Sequence, residues 1–171
     1  MIDKQVKENV LYSEIFLGPH LWSDTPSNRW ERFLEIASKA ADEYKNKYGI
    51  HTYFIIVCIR HLGPEKALEA SKFASEAKSY NVVGFGMAGD EKKFNTLDFM
   101  ESFNFARNSG LGITTHAGEI CGAKSVEEAI QLGVTRIGHG VRSSESEETI
   151  KKLREKNLQI NLLCHVTSEI Q

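Results

Sequence analysis

The sequence predicts an α/β fold, an incomplete (β/α)8 TIM barrel of about six βα units, on three observations. Short β-favouring runs alternate with stretches of helical periodicity along the chain, the order that makes a parallel sheet with crossover helices. The run His51-Thr-Tyr-Phe-Ile-Ile-Val-Cys-Ile59 is nearly all apolar and β-branched, as in a strand covered on both faces. Polar residues then cluster directly after strands: His20, Arg60-His61, Gly89-Asp90, His116 with Glu119, His139, and Cys164-His165. In a barrel such tips share the C-terminal face, where active sites of that fold lie. A doubly wound open sheet also places ligands beyond strand ends, but it does not gather six consecutive tips into one bowl.

The elements follow in order. Val10–Leu17 is the first strand, stopped by Gly18-Pro19. Trp30, Phe33, Leu34, Ala37, Ala41 and Tyr44 recur at three- and four-residue steps, predicting a helix over Asn28–Tyr48 that Gly49 ends. His51–Ile59 is the second strand. Pro64 opens a helix expected to reach Tyr80, since proline suits a first helical turn. Asn81–Phe85 is the third strand, running into Gly86-Met-Ala-Gly89, and Asn95–Ser109 is the third helix. Leu111–Thr115 is the fourth strand; the helix Ser125–Leu132 follows, its Ser125 and Glu128 matching a capping box. Val134–Ile137, the charged amphipathic helix Ser144–Lys156 and the strand Leu158–Leu163 complete the series. A closed barrel has eight strands and about 250 residues. The 171 residues therefore read as one partial barrel domain, 1–171, with first and last strands missing.

Bulk properties exclude several function classes. A net charge of -2 gives no electrostatic footprint for nucleic acid. The longest apolar run, Tyr53–Ile59, is far short of the ~20 residues a membrane helix needs. The N-terminus is polar and lacks the apolar stretch of a secretion signal. Cys58, Cys121 and Cys164 form no Cys-x-x-Cys pair, which argues against a disulfide framework and for core thiols in a reducing cytosol. The expected setting is cytoplasmic, with no nucleic acid or membrane partner.

The chemistry concentrates at Gly112–Glu119. A short strand ends in His116, two small residues leave room for an approaching group, and Glu119 returns toward the same space. About twenty residues on, a second short strand ends in His139 between glycines. Two histidines and a carboxylate at strand tips suggest metal-assisted hydrolysis. Gly89-Asp90-Glu91 reads equally as turn chemistry or as part of a site. His20, Arg60 and His61 lean functional by position alone, whereas His51 and His165 read as structural or solvent-facing, and Ser143–Glu148 as a solvated helix start. An unrelated α/β protein binding a phosphorylated small molecule is a weaker reading, since no Gly-x-Gly-x-x-Gly or Walker pattern occurs.

Val83-Gly-Phe-Gly-Met-Ala-Gly-Asp-Glu91, Thr115-His-Ala-Gly-Glu119, Ser125-Val-Glu-Glu-Ala-Ile130 and Arg136-Ile-Gly-His-Gly140 resemble, in order and spacing, the adenosine deaminase family of metal-dependent hydrolases. The resemblance implies hydrolytic deamination of a purine nucleoside, adenosine to inosine, at a zinc ion. It implies His116 as a zinc ligand, Glu119 as the acid that protonates a purine ring nitrogen, and His139 as the group that orients and deprotonates the attacking water. Gly89 would offer its backbone N–H to the purine. The Ser125-Val126 pair looks more like adenosine than adenine deaminases. The chain also departs from the pattern. The family's His-x-His on the first strand and Asp-Asp on the eighth do not occur, so His116 is the one zinc ligand of four that the resemblance identifies. Gly86 stands where some members carry aspartate, and Cys164-His-Val-Thr-Ser-Glu169 differs from the family's Cys-x-Thr-Ser-Asn. These departures support an alternative: a truncated, catalytically inactive remnant, pairing through exposed sheet edges as a homo-oligomer or with a complementary fragment.

Overall fold

The computed structural model describes residues 2–21 and 27–161. The chain enters through a short helix, α1 (Ile2–Lys7), which the polar N-terminal sequence did not announce. Then β1 (Tyr12–Leu17), α2 (Ser27–Tyr48), β2 (His51–Ile59), α3 (Pro64–Glu76), β3 (Val82–Ala88), α4 (Met100–Asn108), β4 (Gly112–Ala117), α5 (Ala123–Leu132), β5 (Arg136–His139), α6 (Glu147–Glu155) and β6 (Gln159–Asn161) alternate.

The six strands among the described residues pair in parallel, each with the next in sequence. A doubly wound sheet reverses its order at a switch point, and this one never does. The sheet also curls. In a flat sheet, strands four positions apart lie about 19 Å from one another, yet Arg136 Nη1 on β5 reaches Glu14 Oε2 on β1 at 2.5 Å. The result is a curled, incomplete TIM barrel.

Strand alternation divides the residues between two faces. Phe54, Ile56 and Cys58 of β2 join the buried cluster with Ala67, Ala70 and Ala74 of α3, whose small side chains let that helix lie close to the sheet. Ile55 and Val57 point the other way, into the barrel, against Gly84 and Gly86 of β3. A Cβ at Gly86 would stand 2.9 Å from Thr114 Cγ2, so Thr114 already fills the space that a larger residue there would need.

Several boundaries differ from expectation. The third strand runs on through Ala88 and the fourth through Ala117, because the glycines and small residues taken as loop continue the ladder. The fifth starts two residues later, at Arg136, after the Val134 N–H bonds back to Ala129 of α5 and the Thr135 N–H bonds across to Ile113 of β4. Helix α3 tightens after Glu76 into a 3-10 turn, Ala77–Tyr80, as does the start of the next helix at Thr96–Phe99. The charged run from Ser143 splits into a 3-10 turn, Val141–Glu145, and α6, which Ser146 caps by accepting from the Thr149 N–H. The capping box expected at Ser125 and Glu128 is absent: Gly122 is the N-cap of α5, and both side chains are engaged elsewhere. A capping box does form at Asn95 and Asp98. The sixth strand is described to Asn161; Cys164, His165 and the stretch to Glu169 lie outside the described residues. Among the described residues no helix is long and apolar enough to cross a membrane.

Candidate active site

His116 is on the interior face of β4, its ring 6.0 Å from that of Phe16 on β1. Parallel register sets it beside Gly138, and Ala117 beside His139. Along β5, Arg136 faces inward and Ile137 packs in the core, so strict alternation would turn His139 toward the helices. Its backbone instead takes a φ of +69°, a left-handed conformation that costs energy for a residue with a side chain and that clusters at functional sites. The imidazole lies against His116, ring centroids 4.8 Å apart and planes at 84°. Glu119 Oε2 stands 3.3 Å from His139 Nε2. Both histidines are buried, while the Glu119 side chain keeps 34% of its surface exposed, enough to meet an entering molecule.

The turn that returns Glu119 depends on glycine. Gly118 has a φ of +69°, and a Cβ there would lie 2.7 Å from Val126 Cγ2. One ligand atom from each of His116, Glu119 and His139 lies within 4.8 Å of the others. Imidazole nitrogen suits zinc, and His116, on the interior face of β4, is the donor of this cluster that fits the ion. Glu119 and His139 beside it are then left to handle protons, so the described residues supply one corner of a zinc shell.

The other predicted residues are placed as follows. Gly89 directly follows β3 with a φ of +99°, and a Cβ there would meet His61 Nδ1 at 3.2 Å, so these two neighbouring tips touch. His20 is buried with its Nε2 3.4 Å from Glu69 and its ring edge-on to Trp30, a packed setting. Burial lowers its pKa, against the opposing pull of Glu69. The buried Cys58 thiol is pushed up to about 12 by burial. Cys121 is only half-buried, contrary to the core position expected of it.

The adenosine deaminase family model matches residues 1–171. The chain belongs to the adenosine deaminase family. It is 38% identical over 144 residues to the adenine deaminase of Rhizobium rhizogenes, covering 84% of this chain and 44% of that protein. It is also 38% identical over 148 residues to the adenine deaminase of Agrobacterium fabrum, covering 86% of this chain and 45% of that one. It thus spans less than half the length of these relatives. Among solved structures, adenine deaminase from Arthrobacter aurescens aligns with a TM-score of 0.82 at 23% identity, over 93% of this chain and 48% of that one. An amidohydrolase from Burkholderia ambifaria, solved with bound zinc, aligns with a TM-score of 0.84 at 22% identity, over 93% and 44%. At these identities the structures support the fold.

Two buried charges frame the site of this deaminase-family chain, and sequence reasoning gave neither that role. Arg60, read as a strand-tip candidate, is 2% exposed; its Nη1 donates to Thr96 Oγ1 at 3.1 Å and its Nη2 to the His116 carbonyl at 3.3 Å. Burial lowers its pKa, and the nearby Glu91 opposes that. Gly89-Asp90-Glu91, left open between turn and site, proves to be both. Asp90 Oδ1 accepts from the Lys92 N–H in a local turn, whereas Glu91 is 5% exposed and bonds the backbone of the Glu119 loop. The signal was weak because a carboxylate bonded to backbone amides pairs with no particular side chain.

Proposed function

We propose that this chain carries the proton-handling side of a metal-dependent aminopurine deaminase: aminopurine and water give oxopurine and ammonia. The observation that carries the reading is the meeting of His116, Glu119 and His139 within 4.8 Å at the tips of β4 and β5. His116 is the residue to hold zinc. When bound, zinc supplies Lewis acidity that makes water a nucleophile near neutral pH. Glu119 hands a proton to a ring nitrogen, which makes the adjacent amino-bearing carbon electrophilic. His139 orients the attacking water, takes its proton and is steadied by Glu119 at 3.3 Å. A C–O bond forms, His139 passes the water's proton to the amino nitrogen, the C–N bond breaks with release of ammonia, and the remaining hydroxyl proton returns to Glu119 as the oxopurine forms. Gly89, directly after β3, offers its N–H to the purine. Cys58 and Cys121, free among the described residues, support a cytoplasmic setting.

Two substrates compete. The relatives named adenine deaminase favour the free base; the Ser125-Val126 pair favours adenosine. Purified chain loaded with zinc, offered each substrate in turn and followed by ultraviolet absorbance, separates them. Glu119→Gln lowers turnover by about 10²-fold or more, the scale of general acid–base catalysis. Turnover unchanged by Glu119→Gln would sink the assignment.

A second reading has support of its own: β1 and β6 pair on one side only among the described residues, and Tyr12 and Ile160 on these edges are exposed. Such edges invite further strands, which would make this a pairing chain without catalysis. That reading predicts no zinc uptake and a multimer in light scattering.

A further inference from the structure

Between β4 and α5 the chain turns through Gly118 to Cys121 with successive N–H groups aimed at one point. Glu91 Oε2 occupies it, accepting from the N–H of Glu119 at 3.1 Å, Ile120 at 2.5 Å and Cys121 at 2.8 Å. The Gly118 N–H goes to Ser125 Oγ at 2.8 Å, and that hydroxyl lies 3.3 Å from the other Glu91 oxygen. Three consecutive amides are thus bonded to one carboxylate oxygen, and the Ser125 hydroxyl that takes the fourth lies beside the other. Successive backbone N–H groups of this kind form a concavity that binds anions. Here the anion is built in and 5% exposed.

We propose that Glu91 is the positioning residue of the candidate site: by filling the amide concavity of residues 119–121 it sets where the Glu119 carboxyl stands against His139. The functional consequence rests on the reading of Glu119 as proton donor. Glu91 fixes the backbone from which the Glu119 side chain hangs, through the Glu119 N–H and the two that follow. Charge-assisted bonds to three adjacent amides restrain both position and orientation more than neutral bonds do. A displacement of about 1 Å at a reacting group costs on the order of 10²-fold in rate, so a loop held this way matters to chemistry as well as to folding. Glu91 holds the loop backbone while the Glu119 and His139 side chains face each other 3.3 Å apart, so its role is positioning and theirs is the chemistry.

The test compares wild type, Glu91→Gln and Glu91→Ala as whole chains. Two readouts need no activity. Amide hydrogen exchange at Glu119, Ile120 and Cys121 accelerates about ten- to a hundredfold in Glu91→Ala, the range carried by bonds to a charged group. The nuclear Overhauser contact between the Glu119 methylene protons and the His139 ring is present in wild type and disappears in Glu91→Ala. Glu91→Gln, which keeps one carbonyl acceptor, falls between and serves if the alanine variant does not fold. Unchanged exchange, or a contact that persists without Glu91, overturns the proposal. The third readout is turnover: kcat falls about 10²-fold with KM within about twofold. A fall in kcat matched by a rise in KM, or no fall, also overturns it. A wild-type chain that takes zinc but turns over no aminopurine refutes the deaminase reading alone, and the exchange and Overhauser results then decide the positioning role by themselves.

Discussion

The guanidinium of Arg60, at the tip of β2, donates through Nη2 to the backbone carbonyl of His116 on β4 at 3.3 Å. The two strands are not neighbours, since β3 runs between them. The contact therefore braces the rim of the half-barrel across a strand, at the residue on which the candidate metal site turns. Nη1 secures Thr96, the first residue of the 3-10 turn before α4, at 3.1 Å. Arg60→Ala removes both donations and opens a cavity, so it should destabilise the chain by about 3 kcal/mol in urea unfolding. Arg60→Lys should recover little of that, because an ammonium lacks the planar fork that serves two acceptors at once. A cost below about 1 kcal/mol for the alanine change removes Arg60 from the frame.

The curl of the sheet has its own test in Glu14 and Arg136, 2.5 Å apart with side chains 17% and 26% exposed. Burial limits solvent screening, so a double-mutant cycle with Glu14→Gln and Arg136→Met should show a coupling of about 1–2 kcal/mol. Distant sites add to within about 0.5 kcal/mol. Additivity of that kind in denaturant unfolding would contradict a pair that closes across the barrel.

Elements with strong local signals were legible in the sequence. The apolar run His51–Ile59 forms β2 with the expected ends, and Pro64 opens α3 where a proline should. His116, Glu119 and His139 could be read from their two motifs, because residues near strand tips have a place fixed by topology. What failed was local chemistry overridden by tertiary contact. Ser125 and Glu128 have capping-box spacing, but the Gly118 amide takes the serine hydroxyl and the Thr96 amide takes the glutamate. The roles of Arg60 and Glu91 were hidden for a related reason: each bonds backbone groups about thirty or more residues away, and backbone leaves no mark in a side-chain pattern. His139 shows the same limit. Its position in the motif was plain, yet the φ of +69° that ends the strand alternation there is not written in its residue type.

The glycine in His116-Ala-Gly-Glu119 should tolerate no side chain. At Gly118 a Cβ meets both a left-handed φ of +69° and Val126 Cγ2 at 2.7 Å. Gly118→Ala is expected to cost about 2–4 kcal/mol, strain and overpacking together. Val126→Ala in the same chain should relieve the steric part and leave the conformational part, so the double variant melts above the sum of the single effects. Strict additivity would place the cost entirely in the backbone.

The remaining prediction concerns pH and His20, packed against Trp30 with Glu69 at 3.4 Å. Burial lowers the folded-state pKa of this imidazole, and the Glu69 carboxylate only partly opposes that, while the Lys66 ammonium adds to the lowering. As pH falls through about 6.5 the unfolded chain's histidine takes up a proton, whereas folded His20 lags behind. The unfolded state then binds more protons, and stability falls with pH until the folded imidazole also titrates. Between pH 7 and pH 5 the wild-type melting temperature should therefore drop more steeply than that of His20→Gln, which cannot charge. Every other group is common to both proteins and cancels in the comparison. Parallel curves would mean that Glu69 compensates the burial in full, and a steeper loss in the variant would mean that the pair stabilises the protonated ring.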